Sequence, residues 1–257
     1  MIEIRPIRTH EAERFLTLLC QVFDLDIARA RHVFFKEPLF DLDRKWALFE
    51  DGELRTIMTT TPLVFGFGRA FGVAGVATDP LHRGRGLAQR LIEHVLERSA
   101  EAGERACLLF AHEDEVYRRA GFETVDAVVR GAIKVDPSEE IPGTLPFAKV
   151  RQQYDAWSAA EPGRLRRDER RWKYWRWIPR TCEVATGGYV CVEPHLCREA
   201  IVSPGLETWS VMPGTSWLGL ETMSGALGVP MTGMTRELLV MAVGLPMPVQ
   251  MFMTDQF

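Results

Sequence analysis

The chain has 257 residues, 46% hydrophobic and 26% charged, enough for one large domain or two modest ones with an ample core. Its 31 basic and 35 acidic residues leave a net charge of −4, so no global field recommends nucleic acid as a partner. The five cysteines, Cys20, Cys107, Cys182, Cys191 and Cys197, include no C-x-x-C pair and read as reduced thiols.

The N-terminus lacks a signal-peptide apolar region, and the longest apolar stretch near the C-terminus is broken by Gly244, Pro246 and Pro248. The expectation is a cytoplasmic protein with no membrane partner. Cys191, His195 and Cys197 lack a fourth ligand and the usual spacing, so no metal is expected and a core hairpin is the better reading.

The predicted elements form a mixed α+β order. A strand from Ile2 to Ile7 leads to a helix from about His10 to Phe23, with Phe15, Leu16, Leu19 and Phe23 on one face. A second helix, Ile27 to Phe35, ends before Pro38. Trp46 to Phe49 and Leu54 to Phe65 read as a hairpin around Asp51-Gly52, and Phe71 to Thr78 as the next strand. Leu87, Leu91, Ile92, Val95 and Leu96 make an apolar helical stripe. Ala106 to Ala111 is a buried strand, Val116 to Arg119 a short helix, and Thr124 to Val135 further strand. A boundary is expected where Pro137, Pro142, Gly143 and Pro146 cluster, dividing the chain into domains 1–140 and 141–257.

Between the strand Val76-Ala77-Thr78 and the helix that starts at Leu87 lies Asp79-Pro80-Leu81-His82-Arg83-Gly84-Arg85-Gly86. Such a loop can aim successive N–H groups at one point beside the positive end of a helix dipole, a place for a phosphate. A P-loop is excluded because Leu87-Ala88 stand where Lys-Ser/Thr is needed, and Arg-Gly-Arg-Gly is no dinucleotide fingerprint. What remains is R-x-x-G-x-A, met by Arg83, Gly86 and Ala88.

With those residues, Val73 to Phe122 resembles the acyl-CoA-binding core of the GNAT acetyltransferases. Downstream, Val116-Tyr117-Arg118-Arg119-Ala120-Gly121-Phe122 is similar to the family's Y-x-x-x-G-F helix. Ala74-Gly75-Val76 and Glu113-x-x-Val116-Tyr117 are similar to the Eis-type branch. The resemblance implies a GNAT fold with a mixed, mainly antiparallel sheet, followed by a smaller, degenerate GNAT-like domain that begins around Arg170 to Trp177 and Gly188 to Val190. The chain is too short for the third, sterol-carrier-like domain of the Eis-type proteins.

By the same resemblance, acetyl-CoA is the co-substrate. Arg83, Gly84, Arg85, Gly86, Leu87 and Ala88 hold its pyrophosphate, while Val76, Ala77 and Thr78 pair with the pantetheine arm and polarise the thioester. Tyr117 is the candidate proton donor to the leaving thiolate, since phenol and thiol pKa values are not far apart. His112 and Glu113, at the end of a strand beside the expected site, are candidates for the base. In the Eis-type enzymes a terminal carboxylate acts near the substrate; that one belongs to the third domain, which leaves Phe257 without a transferable role.

The segment Arg164 to Trp177 interleaves arginines with Trp172, Tyr174, Trp175 and Trp177. It reads as an amphipathic helix with Leu165, Trp172 and Trp175 in a core and its arginines paired with Asp168, Glu169 or solvent, in preference to a surface for single-stranded nucleic acid. Eight of the ten methionines lie beyond Pro204, as core or a pliable substrate wall. The leading expectation is an acetyl-CoA-dependent N-acetyltransferase of a small-molecule amine, as a monomer or a homo-oligomer. The alternatives are a non-catalytic acyl-CoA-binding or sensing protein and an acyltransferase using a longer acyl group.

Overall fold

A computed structural model of the chain describes residues 1–135 and 143–257. The expected boundary at 140/141 lies outside the described residues. The first half runs β1 (Ile2–Pro6), α1 (Ala12–Phe23), α2 (Ile27–Lys36), β2 (Lys45–Glu50), β3 (Glu53–Phe65), β4 (Gly68–Thr78), α3 (Leu87–Glu101), β5 (Ala106–Ala111), α4 (Glu115–Arg119) and β6 (Glu123–Ile133). These follow the predicted elements to within a few residues. Asp51 and Gly52, both at positive φ, make the hairpin turn between β2 and β3.

The second half runs α5 (Phe147–Ala160), β7 (Leu165–Arg166), α6 (Glu169–Trp177), β8 (Thr181–Ala185), β9 (Gly188–Glu193), β10 (Leu196–Ile201), β11 (Ser216–Leu220), α7 (Glu221–Leu227) and β12 (Met231–Val243). Cys191 and Cys197 fall on the β9–β10 hairpin with buried thiols.

Among the described residues the strands form one mixed sheet in the order β1-β2-β3-β4-β5-β12-β6-β11-β10-β9-β8, with β7 paired to β3. The β4–β5 and β10–β11 pairs are parallel and the others antiparallel. β12 lies between β5 and β6 and bonds to both, Leu239 opposing Ala111 on one side and Ala127 on the other. A strand from late in the chain thus completes the sheet begun by the first half. The two halves are joined through β12.

α1 buries Phe15 and Leu16 against Ile57 and Ala77 on one sheet face, whereas α3 buries Leu91, Ile92 and Val95 in a separate cluster with Phe71 and Leu109. In the basic aromatic segment Leu165, Trp172 and Trp175 are buried as expected, but the arginines depart from expectation. The segment is a short strand and then a helix, and its inner arginines face the core. Asp168 is occupied as the cap of α6, accepting from the Arg171 N–H at 2.7 Å. Glu169 pairs outward with Arg151.

Arg167, wholly buried, instead bonds Glu199 and Asp255 at 2.7 Å each and lies 3.6 Å over the Tyr154 ring. Trp175 Nε1 (2.8 Å), Tyr189 Oη and Thr254 Oγ1 also donate to Glu199. Burial pushes this carboxyl up, but Arg167 and the other donors outweigh it and hold it down at about 2. An isolated buried charge costs several kcal/mol, so the cluster is tolerable only because every carboxylate oxygen of Glu199 and Asp255 has a donor. Its place in the fold is to tie β10, α6 and α5 to the segment 252–257. The Phe257 ring then packs over Gly72 of β4, where any Cβ would overlap it, and lies 5.3 Å from the Phe110 ring of β5.

Candidate active site

Two depressions flank β4. β4 pairs with β5 only from Ala70–Ala106 to Val73–Leu109, after which the two strands separate. Its outer edge from Ala74 to Thr78 is therefore free of β5, with backbone groups available to a ligand. On the β3 side, Ile57 opposes Ala77 and Thr59 opposes Ala74, so Gly75 and Val76 together face Met58 in a β-bulge. Gly75 sits at φ +60°, and a Cβ there would come within 2.9 Å of Leu19 Cδ1. Only glycine fits without strain.

Beyond Thr78, Asp79 caps the turn 80–82 by accepting from the Leu81 N–H at 3.1 Å. Gly84 (φ 74°) and Gly86 (φ 71°) take left-handed conformations, and Gly86 is the N-cap of the 15-residue α3. The first-turn amides of α3, at Leu87, Ala88 and Gln89, have no partner within the helix and sit at the positive end of its dipole. They face a groove of about 590 Å³ walled by Val76, Thr78, Arg83 and Gly84 on one side and Val116 and Arg119 of α4 on the other. This can hold an anion such as a pyrophosphate at one end and an extended arm along β4.

The loop arginines differ. Arg83 lines the groove and reaches the Thr78 carbonyl at 3.4 Å, while Arg85 forms a two-pronged pair with Glu50 at 2.6 and 2.9 Å. Two expected binding residues turn their side chains inward: Ala77 packs under α1 and Leu87 into the α3 core. Tyr117 is half-buried in that α3 core, 6.1 Å from the Phe122 ring, and burial pushes its hydroxyl pKa up. Its helix neighbours Val116 and Arg119 line the groove. Tyr117 does not. Glu113 stands on the groove wall, and His112 is exposed and lines neither depression.

The second depression, about 570 Å³, opens on the α1–α2 side of the sheet and has no local sequence signal. Leu16, Leu19, Phe34, Tyr174 and Phe257 give it apolar walls, and Ala74 and Gly75 form its border with β4. At its far side Lys45, 4% exposed, lies 3.5 Å from Glu37 and 4.9 Å over the Phe34 ring. No methionine lines either depression; Met223, Met241, Met251 and Met253 are core.

Residues 3–125 match the family model of the acetyltransferase (GNAT) domain. No curated protein matches the chain. Among solved structures, a GCN5-related N-acetyltransferase from Kribbella flavida aligns at 16% identity and TM-score 0.69, covering 94% of this chain and 70% of that one. A probable N-acyltransferase from Enterococcus faecalis V583 aligns at 15% identity and TM-score 0.66, over 94% and 72%. Eis1 from Mycobacterium abscessus aligns at 17% identity and TM-score 0.56, over 93% and 73%. At these identities the likeness is one of fold, and it spans both halves of the chain, including the second half that the family model leaves out. The domain match and the groove beside a splayed β4 fall on the same segment: residues 3–125 form an acetyltransferase (GNAT) domain.

Proposed function

We propose that the protein transfers the acetyl group of acetyl-CoA to the amine of a small molecule. The observation that carries this reading is that groove and cavity meet on one strand: Val76 and Thr78 face the groove, and Ala74 and Gly75 border the cavity. An acyl-CoA carrier needs only the groove. A second, largely apolar chamber ending at the same strand suits a transferase that brings an acceptor to the thioester.

In this reading the α3 amides and Arg83 hold the pyrophosphate, and the pantetheine arm follows the free edge of β4. Backbone N–H groups at the bulge accept the growing negative charge on the thioester oxygen. The amine arrives from the α1–α2 side, its nitrogen bonds to the carbonyl carbon, and the C–S bond breaks. The nitrogen's extra proton passes to water. Tyr117 stands behind the groove residues Val116 and Arg119 on α4 and gives its proton to the departing thiolate through one bridging water, regaining it from solvent. Glu113 stays a groove residue, away from the acceptor.

The test is free-thiol release from acetyl-CoA over a panel of primary amines. Tyr117→Phe is expected to lower kcat on the order of a hundredfold, with CoA affinity retained. A Tyr117→Phe enzyme as fast as its parent removes the assigned role. CoA binding without thiol release on any amine overturns the transfer reading itself.

A further inference from the structure

The acceptor cavity holds a cation that its protein partners leave underused. Lys45 begins β2, and its backbone is fixed on both sides: its carbonyl accepts from the Ile7 N–H at 2.8 Å, and it opposes Thr59 of β3. Its side chain is buried, yet its hydrogen-bonding partner is Glu37 at the long distance of 3.5 Å. The rings of Phe34 and Phe40 lie 4.9 and 5.7 Å from its ammonium. Asp41 is near enough to act through charge, but it is committed to Arg170 at 3.5 Å and to the Asp43 N–H. An ammonium has three donors, and aromatic faces satisfy none of them by hydrogen bonding.

The position of Lys45 has a direct relation to the reacting strand. Lys45 opposes Thr59, and Thr59 opposes Ala74, so the three form one row across β2, β3 and β4 along the cavity. Two strand spacings separate Lys45 from Ala74, roughly 10 Å. Leu16 and Leu19 of α1, Tyr174 and Phe257 supply apolar wall, and Thr59 and Thr61 line the cavity from β3.

We propose that the acceptor is an amine carrying a carboxylate at its far end, across an apolar spacer, and that Lys45 receives this carboxylate while the amine meets the thioester at Gly75. The inference rests on the transfer reading above and adds the substrate class. Burial lowers the Lys45 pKa despite the raising effect of Glu37, so an incoming anion would stabilise a charge the free protein leaves undercompensated. Asp24 and Asp26, from the turn between α1 and α2, also line the cavity beside Arg29 and would attract the amine end. Lys45 is thus a specificity-determining residue, far from the reacting atoms.

The experiment compares ω-amino acids from 4-aminobutanoate to 8-aminooctanoate with the n-alkylamines of equal length as acceptors. For the best length, the ratio of kcat/KM, acid over alkylamine, is expected to be tenfold or more. That ratio should fall to about one in Lys45→Met and be largely restored in Lys45→Arg. A ratio at or below one in the parent, or Lys45→Met slowing both series alike, overturns the proposal. If neither series releases thiol, the transfer reading fails on its own. The carboxylate inference is then decided by thermal shift with 6-aminohexanoate against hexylamine, in the parent and in Lys45→Met. Selective stabilisation by the acid, lost with Lys45, supports it, and equal shifts overturn it.

Discussion

The groove and the cavity share β4, yet they are assembled in opposite ways. The groove is local: its phosphate end comes from the consecutive residues Val76 to Gln89, with α4 as the far wall. The cavity gathers α1, α2, the first residues of β2, the middle of β3, and Tyr174 and Phe257 from the second half. A local site depends on turn geometry and a helix end. A dispersed one depends on whatever holds its distant pieces in register, here the buried Arg167 cluster beneath Phe257. Stability and acceptor binding should therefore be coupled in the cavity and separable in the groove.

The largest effect expected from this contrast is at Arg167. Arg167→Met leaves Glu199 and Asp255 buried, with Arg171 at 3.8 Å from Asp255 as the nearest remaining cation. Breaking a buried pair this way costs about 3–5 kcal/mol. At ~2–4 °C per kcal/mol for a chain of this size, Tm should drop by roughly 6–20 °C. Acceptor KM should rise more than the dissociation constant for CoA, because the cavity loses its second-half wall first. Arg85→Gln, which breaks an exposed pair with Glu50, should leave Tm unmoved. Equal thermal behaviour of the two variants would refute the contrast.

The same contrast explains what could be read from the chain. The bulge glycine, the turn cap, the paired glycines and the start of α3 are neighbours in sequence, so Arg83 to Ala88 announced the groove. The elements of the first half were legible for the same reason: alternation and helical stripes are local signals. The insertion of β12 between β5 and β6 was not legible. Its strand character is local, but its two partners lie about a hundred residues upstream and only the folded sheet selects them. Lys45 gave no signal either, since a lysine before Trp46 looks like a solvated strand end until Phe34, Phe40 and Glu37 close over it. The inward turn of Arg167 and Arg171 near Trp172 likewise has no local signal. Glu199 and Asp255 lie 32 and 88 residues beyond Arg167, and only the fold brings them to it.

At the junction of the two sites, Gly75 tests whether they are mechanically linked. Gly75→Ala forces a Cβ onto a left-handed residue, about 1–2 kcal/mol, and against Leu19 of the cavity wall. A Tm loss of a few degrees is expected, with a roughly tenfold fall in kcat, since an ångström-scale shift of the polarising N–H groups is costly. Both CoA and acceptor binding should weaken. If only one does, the strand is not the shared element.

The smallest effect expected distinguishes the two loop arginines. Arg83 lines the groove, whereas both outer guanidinium nitrogens of Arg85 are bound to the Glu50 carboxylate. An exposed ion pair contributes ~0.2–1 kcal/mol, so Arg83→Gln should weaken CoA by up to about fivefold. Exposed charges are screened within about 10 Å at 0.1 M salt, so the deficit should shrink as ionic strength rises. Arg85→Gln should leave CoA affinity as it was, because its charge is already neutralised by Glu50. If isothermal titration instead finds the larger loss at Arg85, the Glu50 pair must open when CoA binds. The groove would then be less preformed than its local construction implies, and the separation between the two sites would rest on the amides of α3 alone.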